Sequence, residues 1–377
     1  MSKTNKIKIL HAIRQGKVGG GETHVLDLVN ELNKIRFESV ILAFTDGPMI
    51  DKLKADGFKT YVIHTEMPFN FQVWKAVQQI ISSENIDIIH AHGTRANSNV
   101  FSSSKALKIP LIYTVHGWSF HPDQHFIVKM IRTLSERFLV SVASKTICVS
   151  ESNLNEGKKS FPMTRATVVV NGINQVKFNP DNIYPNIRTE FGISDTVVLV
   201  GYIARITAQK DPLSFIRAIA KIENNLDVKF LIVGEGDLKT KMLELAEELH
   251  ILERVIFVDF RSDIPALLAA MDIFCLPSLW EGLPIALLEA MAMKKAIIAT
   301  SIDGTRDLIK HMINGILVPT SSPEKLAEAI TLLLANPSLR MKLGDAAAFT
   351  VSQQFEIKTM TKKIESIYEA EIQKPLM

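Results

Sequence analysis

IFCLPSLWEGLPIALLEAMA, residues 273–292, reads as a strand, a loop and a helix in succession. The run IFCL is short and wholly apolar, as expected of a strand covered on both faces. Gly282 frees the turn, Pro284 suits the first helical turn, and IALLEAMA consists of good helix formers. Glu281 therefore falls in the loop at the strand's carboxyl end, and Glu289 about a turn and a half inside the helix. A carboxylate at either place can accept from neighbouring hydroxyls of a sugar ring or a ribose. An unpartnered Glu289 on so apolar a helix would be costly, which favours a site over two surface glutamates.

The same strand-loop-helix unit recurs in both directions. Upstream lie KIKILHAI, SVILAFT, TYVIHT, DIIHAH, LIYTVHG and KTICVS, with amphipathic stretches between them, near 22–35 and 72–84 among others. After VNGINQVKFNPDNIYPN the pattern restarts with TVVLVGYIA, KFLIVGEG, VIFVDF, IFCLPS, AIIATS and GILVP. Such βα repetition predicts a parallel sheet in each half. The expected organisation is a Rossmann-like domain over 1–175, a linker over 176–195, a second Rossmann-like domain over 196–355 and a helical tail over 356–377 that packs back across the domains. Doubly wound sheets bind ligands beyond the carboxyl ends of their strands, so the loops after strands are the places to search.

Composition excludes several classes. Hydrophobic residues at 47% and charged residues at 22% rule out a disordered chain. No apolar run has the roughly 20 residues of a membrane span, and MSKTNKIKIL lacks the apolar core of a signal peptide. A cytosolic protein is expected, with room for a peripheral seat on the inner face of a membrane. Cys148 and Cys275 lie in apolar strand-like runs and are read as buried, reduced thiols. The net charge is +3, basic in the first half and acidic in the second. A basic first half suits anionic lipid or a phosphate-bearing substrate.

Three further loops carry candidate residues. RQGKVGGGETHV contains Gly19, Gly20 and Gly21, whose missing side chains let backbone amides approach a ligand where a helix begins, although the spacing is not that of a dinucleotide fingerprint. His116 ends LIYTVHG, a functional position for an imidazole. His90 and His92 share a strand face and could bind metal, but no matching third ligand is visible, so they are read as structural or site-lining. In GYIARITAQKD, Arg205 and Lys210 follow the first strand of the second half and can hold a diphosphate, one as a planar fork and the other as a point charge.

Taken together, VGGGETHV, TVHG, CVSES, VNGIN, ARITAQKD, LIVGEGD, PSLWEGLPIALLEAMA and NGILVP, in this order over nearly the whole chain, resemble the retaining glycosyltransferases of family 4, which have the two-domain GT-B fold. The most specific element is the Glu-x7-Glu motif, here Glu281 to Glu289. The resemblance implies two Rossmann-like domains facing across a cleft and a sugar moved from a nucleotide-diphosphate sugar, most commonly a UDP-sugar, to a lipid-linked or other saccharide acceptor in surface polysaccharide synthesis. It implies that Arg205 and Lys210 bind the diphosphate, Glu289 the ribose and Glu281 the transferred sugar, with backbone amides from Gly282, Leu283 and Ile285. His116 would lie beside the donor sugar, Gly19, Gly20 and Gly21 near phosphate and acceptor, Ser150 and Asn171 along the cleft wall, and Arg261 and Ser262 against the base. No cofactor, obligatory metal or nucleic acid is expected. The aromatic and basic residues Trp118, Phe120, Phe126, Lys129, Arg132 and Arg137 offer a face for an anionic membrane.

The chain departs from the family where SIDGTRDLI puts Asp303 at the first position of a usual double glycine and Asp307 at the acid, and where Asp211 follows Lys210 in place of a common glycine. A GT-B sugar-nucleotide epimerase and a non-catalytic nucleotide-sugar scaffold are the competing readings. A dehydrogenase is disfavoured by the missing Gly-x-Gly-x-x-Gly.

Overall fold

The computed structural model describes residues 6–16, 19–121, 124–223 and 226–374. Lys17 and Val18, part of the first glycine-rich loop, lie outside the described residues. Two compact units emerge, the first comprising Met1–Gly172 with Ile357–Met377 and the second Ile173–Glu356.

The sheet of the first unit has strands β1 (Ile7–Ile13), β2 (Phe37–Ala43), β3 (Lys59–Val62), β4 (Ile88–His92), β5 (Leu111–Val115), β6 (Lys145–Cys148) and β7 (Ala166–Val168). Every pairing is parallel, and the spatial order is β3-β2-β1-β4-β5-β6-β7. The order reverses between β1 and β4, which creates a switch point at their carboxyl ends. The second sheet has β8 (Val198–Ile203), β9 (Val228–Val233), β10 (Val255–Val258), β11 (Ile273–Leu276), β12 (Ala296–Thr300) and β13 (Ile316–Val318), ordered β10-β9-β8-β11-β12-β13 and again parallel. Its switch point lies between β8 and β11. Both sheets are doubly wound, as the recurring strand-loop-helix unit requires.

Why the strands read as continuous apolar runs is evident from what covers them. Leu10, Ala12, Val40, Leu42, Ile89 and Ala91 pack on one side against Val73, Val77 and Ile81 of the helix Phe71–Glu84. On the other side Ile9, Ile88, Ile112 and Ile147 meet Leu28 and Leu32 together with Ile357, Met360, Ile364 and Tyr368. Successive strand residues point to opposite faces, so both faces demand apolar side chains.

The last four of those residues belong to the helix Ile357–Gln373. The tail groups with the first unit, where its apolar stripe completes a core. Residues 176–195, expected as a linker, group with the second unit. Arg188 donates to the carbonyls of Ala270, Ser194 and Val197 and pairs with Asp272 at 2.7 Å, while Phe178 and Ile187 are buried. Asn, Pro and Asp mark irregular backbone, and irregular backbone can be firmly packed. Cys148 and Cys275 are buried free thiols, and burial pushes the Cys148 thiol up to about 12. Among the described residues no helix is long and apolar enough to cross a membrane.

Candidate functional site

At the switch point of the second unit, the loop after β8 meets the loop after β11. Gln209 joins them twice: its carbonyl accepts from the Leu279 amide at 2.8 Å and its side chain donates to the Trp280 carbonyl at 2.9 Å. Beside this clip Lys210 forms an ion pair with Glu281, and Ser278 Oγ donates to the same Glu281 oxygen at 2.7 Å. The two side chains are only 14% and 8% exposed, so the pair is largely withdrawn from water and its geometry is fixed from three sides. Arg205 is exposed and has no ion pair among the described residues. The site thus combines a tethered cation with a free one.

Pro284 is the residue from which the helix Ile285–Ala292 departs. The first amides of a helix have no partner within it, so they can meet an anion or a sugar oxygen. Glu289 is the fifth residue of this helix and is buried. The following segment presses on the loop that carries Glu281: a Cβ on Gly304 would lie 2.6 Å from the Gly282 carbonyl oxygen and 2.7 Å from that of Glu281. Only a glycine fits there.

Both departures from the family pattern find a local reason. Asp303, at the first glycine position, is exposed and pairs with Arg306, so a side chain is accommodated where Gly304 admits none. Asp211 has φ 45° and ψ 54°, the left-handed region that favours glycine but tolerates aspartate. Its carboxylate repays the conformation by capping the helix Pro212–Ala220, accepting from the Ser214 amide at 3.3 Å. Arg261 is held by Asp263 and Glu190, the first of which does most to push the guanidinium above its ordinary range. Its side chain is therefore committed to these two carboxylates.

In the first unit a row of histidines spans the switch point. The parallel register sets His11 of β1 opposite His90 of β4, with His92 two residues further on the same face. His116 follows β5, and His24 projects from the helix Gly20–Glu31. His90 Nδ1 lies 2.6 Å from Tyr368 Oη and its Nε2 2.7 Å from Thr114 Oγ1. His92 stands between two neighbours, Nε2 at 3.4 Å from His11 Nδ1 and Nδ1 at 3.4 Å from His116 Nε2. Burial drives His24 down to about 4 and His116 well below the usual range, so the rings are neutral at pH 7. His116 is a hydrogen-bonding group here and not a cation.

The backbone of Gly21 lies against His116, since a Cβ on Gly21 would be 3.5 Å from its Cδ2. Gly19 caps the helix start and Gly20 is exposed. Ser150 is buried as the cap of the helix Glu151–Ser160, accepting from the Asn153 amide at 3.0 Å, and Asn171 is buried close enough to His24 to resist the fall in its pKa.

Two expectations need correction. His90 and His92 do have companions, His11 and His24 among them, which sequence reasoning missed. The signal was the alternation KILHAI beside IIHAH, legible only once their register is known. Trp118 and Phe120 are not surface residues: they are 4% and 3% exposed, stacked on each other at 5.5 Å, with the Trp118 indole donating to the Asn153 carbonyl.

Comparison with known proteins agrees with this architecture. The family model described as Glycosyltransferase Family 4 matches residues 18–176, and the one described as Glycosyl transferases group 1 matches residues 184–349. An Escherichia coli UDP-Gal:alpha-D-GlcNAc-diphosphoundecaprenol alpha-1,3-galactosyltransferase is 26% identical, over 97% of this chain and 98% of its own. The Campylobacter jejuni N,N'-diacetylbacillosaminyl-diphospho-undecaprenol alpha-1,3-N-acetylgalactosaminyltransferase is 30% identical over 72% of this chain and 73% of its own. A crystal structure of Anabaena Alr3699/HepE in complex with UDP and glucose superposes with a TM-score of 0.85 at 21% identity, covering 97% of this chain and all of the other. The chain belongs to the GT-B glycosyltransferases, in the broad group that these two models describe. It is an enzyme that transfers a sugar from a nucleotide-diphosphate sugar.

Proposed function

We propose that the chain is a retaining family 4 enzyme that moves a sugar from a UDP-sugar to a lipid-linked saccharide acceptor, without an obligatory metal, in the assembly of a surface polysaccharide. The observation that carries this reading is the Lys210–Glu281 pair beside Arg205, which is exposed and has no ion pair among the described residues, at the switch point of the second unit. Support for the donor and acceptor comes from the E. coli and C. jejuni relatives, whose names specify acceptors on diphosphoundecaprenol, and for UDP from the former and from the Anabaena complex.

In this reading Glu289 accepts from the ribose hydroxyls, Glu281 from the transferred sugar, and Gly282, Leu283 and Ile285 present backbone amides. The base rests on backbone near Arg261. As the bond from the anomeric carbon to the phosphate oxygen breaks, negative charge grows on the diphosphate, and Arg205, Lys210 and the helix amides oppose it. Glu281 keeps Lys210 in place before the donor arrives, so little reorganisation remains for the charged transition state. The acceptor oxygen attacks from the face that the phosphate leaves, and the departing phosphate takes its proton. His116 supplies a neutral imidazole beside the sugar, Gly20 and Gly21 line the phosphate side, and Gly19, Ser150 and Asn171 the acceptor side.

The experiment is a binding and hydrolysis screen against UDP-, GDP- and ADP-sugars with EDTA present, beside Glu289→Ala and Lys210→Ala. One donor should bind, and both variants should lose it at least tenfold. Binding that survives in both variants would return the epimerase or scaffold reading.

The acceptor side extends to a membrane surface. The helix Phe126–Val142 buries Glu136, Leu139 and Val140 and exposes Ile127, Ile131, Leu134 and Phe138 along one stripe, with Phe126 75% exposed at its start. Arg132 and Arg137 are exposed on the same helix and suit anionic headgroups. The protein should float with anionic vesicles and not with neutral ones, and Ile131→Glu should leave it at the bottom of the gradient. Equal recovery with both vesicle types sinks the membrane seat.

A further inference from the structure

We propose that His24, His92 and His116 form a binding site for a first-row divalent transition-metal cation, zinc being the best fit. One nitrogen from each ring can be chosen so that all three lie within 4.8 Å of one another. His92 Nδ1 and His116 Nε2 are 3.4 Å apart. Two imidazole nitrogens bound about 2.0–2.1 Å from a tetrahedral zinc are separated by roughly 3.3 Å, so this pair already has the required bite. His24 completes the set: it is 3% exposed, and its ring centroid lies 4.9 Å from that of His116 and 5.6 Å from that of His92.

The surroundings match a metal-bound tautomer. With His92 Nδ1 on the cation, its Nε2 carries the proton and can donate to His11 Nδ1 at 3.4 Å, and His11 Nε2 can in turn donate to Ser39 Oγ at 3.4 Å. A ligating histidine characteristically donates its second ring nitrogen in this way. A second grouping, His11, His90 and His92, is also compact. There, however, His90 is bound through both nitrogens, to Tyr368 at 2.6 Å and Thr114 at 2.7 Å, and a cation would have to displace one of them. The outer three are therefore the ligands. Three imidazoles leave the fourth tetrahedral position to water or an incoming oxygen.

Binding itself is independent of the proposed transferase chemistry; only its consequence rests on that reading. A cation on His116 withdraws the imidazole from the donor sugar, so zinc should inhibit transfer.

The test uses the full chain, stripped of metal and titrated with cobalt(II), then with zinc. One equivalent should produce the visible absorption of a tetrahedral nitrogen-ligated cobalt, and zinc should abolish it. His24→Gln and His116→Gln should each weaken binding at least tenfold with unchanged thermal melts. No band and no retained equivalent, or a band undiminished in both variants, overturns the site. If a variant melts early, X-ray absorption of the zinc-loaded parent decides instead, and fewer than three imidazole scatterers rejects the assignment. Zinc that binds as described while the donor screen fails would leave the site intact and remove only the inhibitory consequence.

Discussion

Gly304 and Asp303 are neighbours with opposite tolerance. A methyl group on Gly304 would meet two backbone oxygens, neither of which can swing aside, whereas Asp303 points to solvent and holds Arg306. Gly304→Ala should therefore cost about 1–3 kcal/mol of stability, as forced overpacking does. The Glu281 loop would shift with it, so donor affinity should fall at least tenfold, whereas Asp303→Gly should leave both within measurement error. Denaturant titration and donor binding of the two variants check this, and an affinity in Gly304→Ala equal to the parent's contradicts it. At this scale the sequence was informative for Glu281, Glu289, Lys210 and Arg205, because a strand-loop-helix reading places each one directly. Asp303 and Asp211 looked like departures, and only backbone geometry revealed that one site is open and the other left-handed. His11 and His24 were silent, since the neighbours that give them meaning are distant in the chain.

Among the elements, the joint between the short helix Ile264–Ala270 and β12 turns on Lys295. Its ammonium donates to the carbonyls of Ala269 at 3.3 Å and Met271 at 2.9 Å, groups that the end of a helix leaves unpaired. Burial lowers its pKa from 10.5 to about 8, with Asp272 opposing the shift and Arg188 adding to it. Between pH 8 and 10.5 the unfolded chain keeps a proton that the folded chain has released, so this residue makes stability rise with pH across that window and contributes no slope below it. Lys295→Met removes the slope. The stability of the variant minus that of the parent should hold level from pH 6 to 7.5 and decline towards pH 10 in urea titrations; a level or rising difference in the alkaline range refutes the buried ammonium. Strand identities and their parallel pairing were readable from apolar runs, while this cap was not, because a lysine after a helix normally suggests solvent.

The first unit of the molecule is discontinuous in sequence, and that sets how the whole chain can fail. Ile357, Met360, Ile364 and Tyr368 are each 5% exposed or less and lie against Ile9, Leu28, Ile88 and Ile112, so the tail supplies one wall of a core formed by the start of the chain. Sequence periodicity predicted a helix there, and the expectation was that it packs back across the domains; its apolar stripe lies in the core of the first unit, a choice the stripe alone does not make, since it states only that something covers it. Ending the chain at Glu356 exposes that core and deprives His90 Nδ1 of Tyr368 Oη. Each large apolar side chain taken from a core costs about 2–5 kcal/mol, so losing four, roughly 8–20 kcal/mol, matches or exceeds the roughly 5–15 kcal/mol that holds a domain folded. The truncated chain should therefore lose the melting transition of its first unit, whereas the second unit, continuous from Ile173 to Glu356, retains its own and continues to bind donor. Tyr368→Phe should give a milder version, a loss of about 1–3 kcal/mol confined to the first unit, because one buried nitrogen is left without its partner. Calorimetry of parent, truncation and point variant separates these outcomes. A truncated chain that melts like the parent would mean that the tail only decorates the first unit.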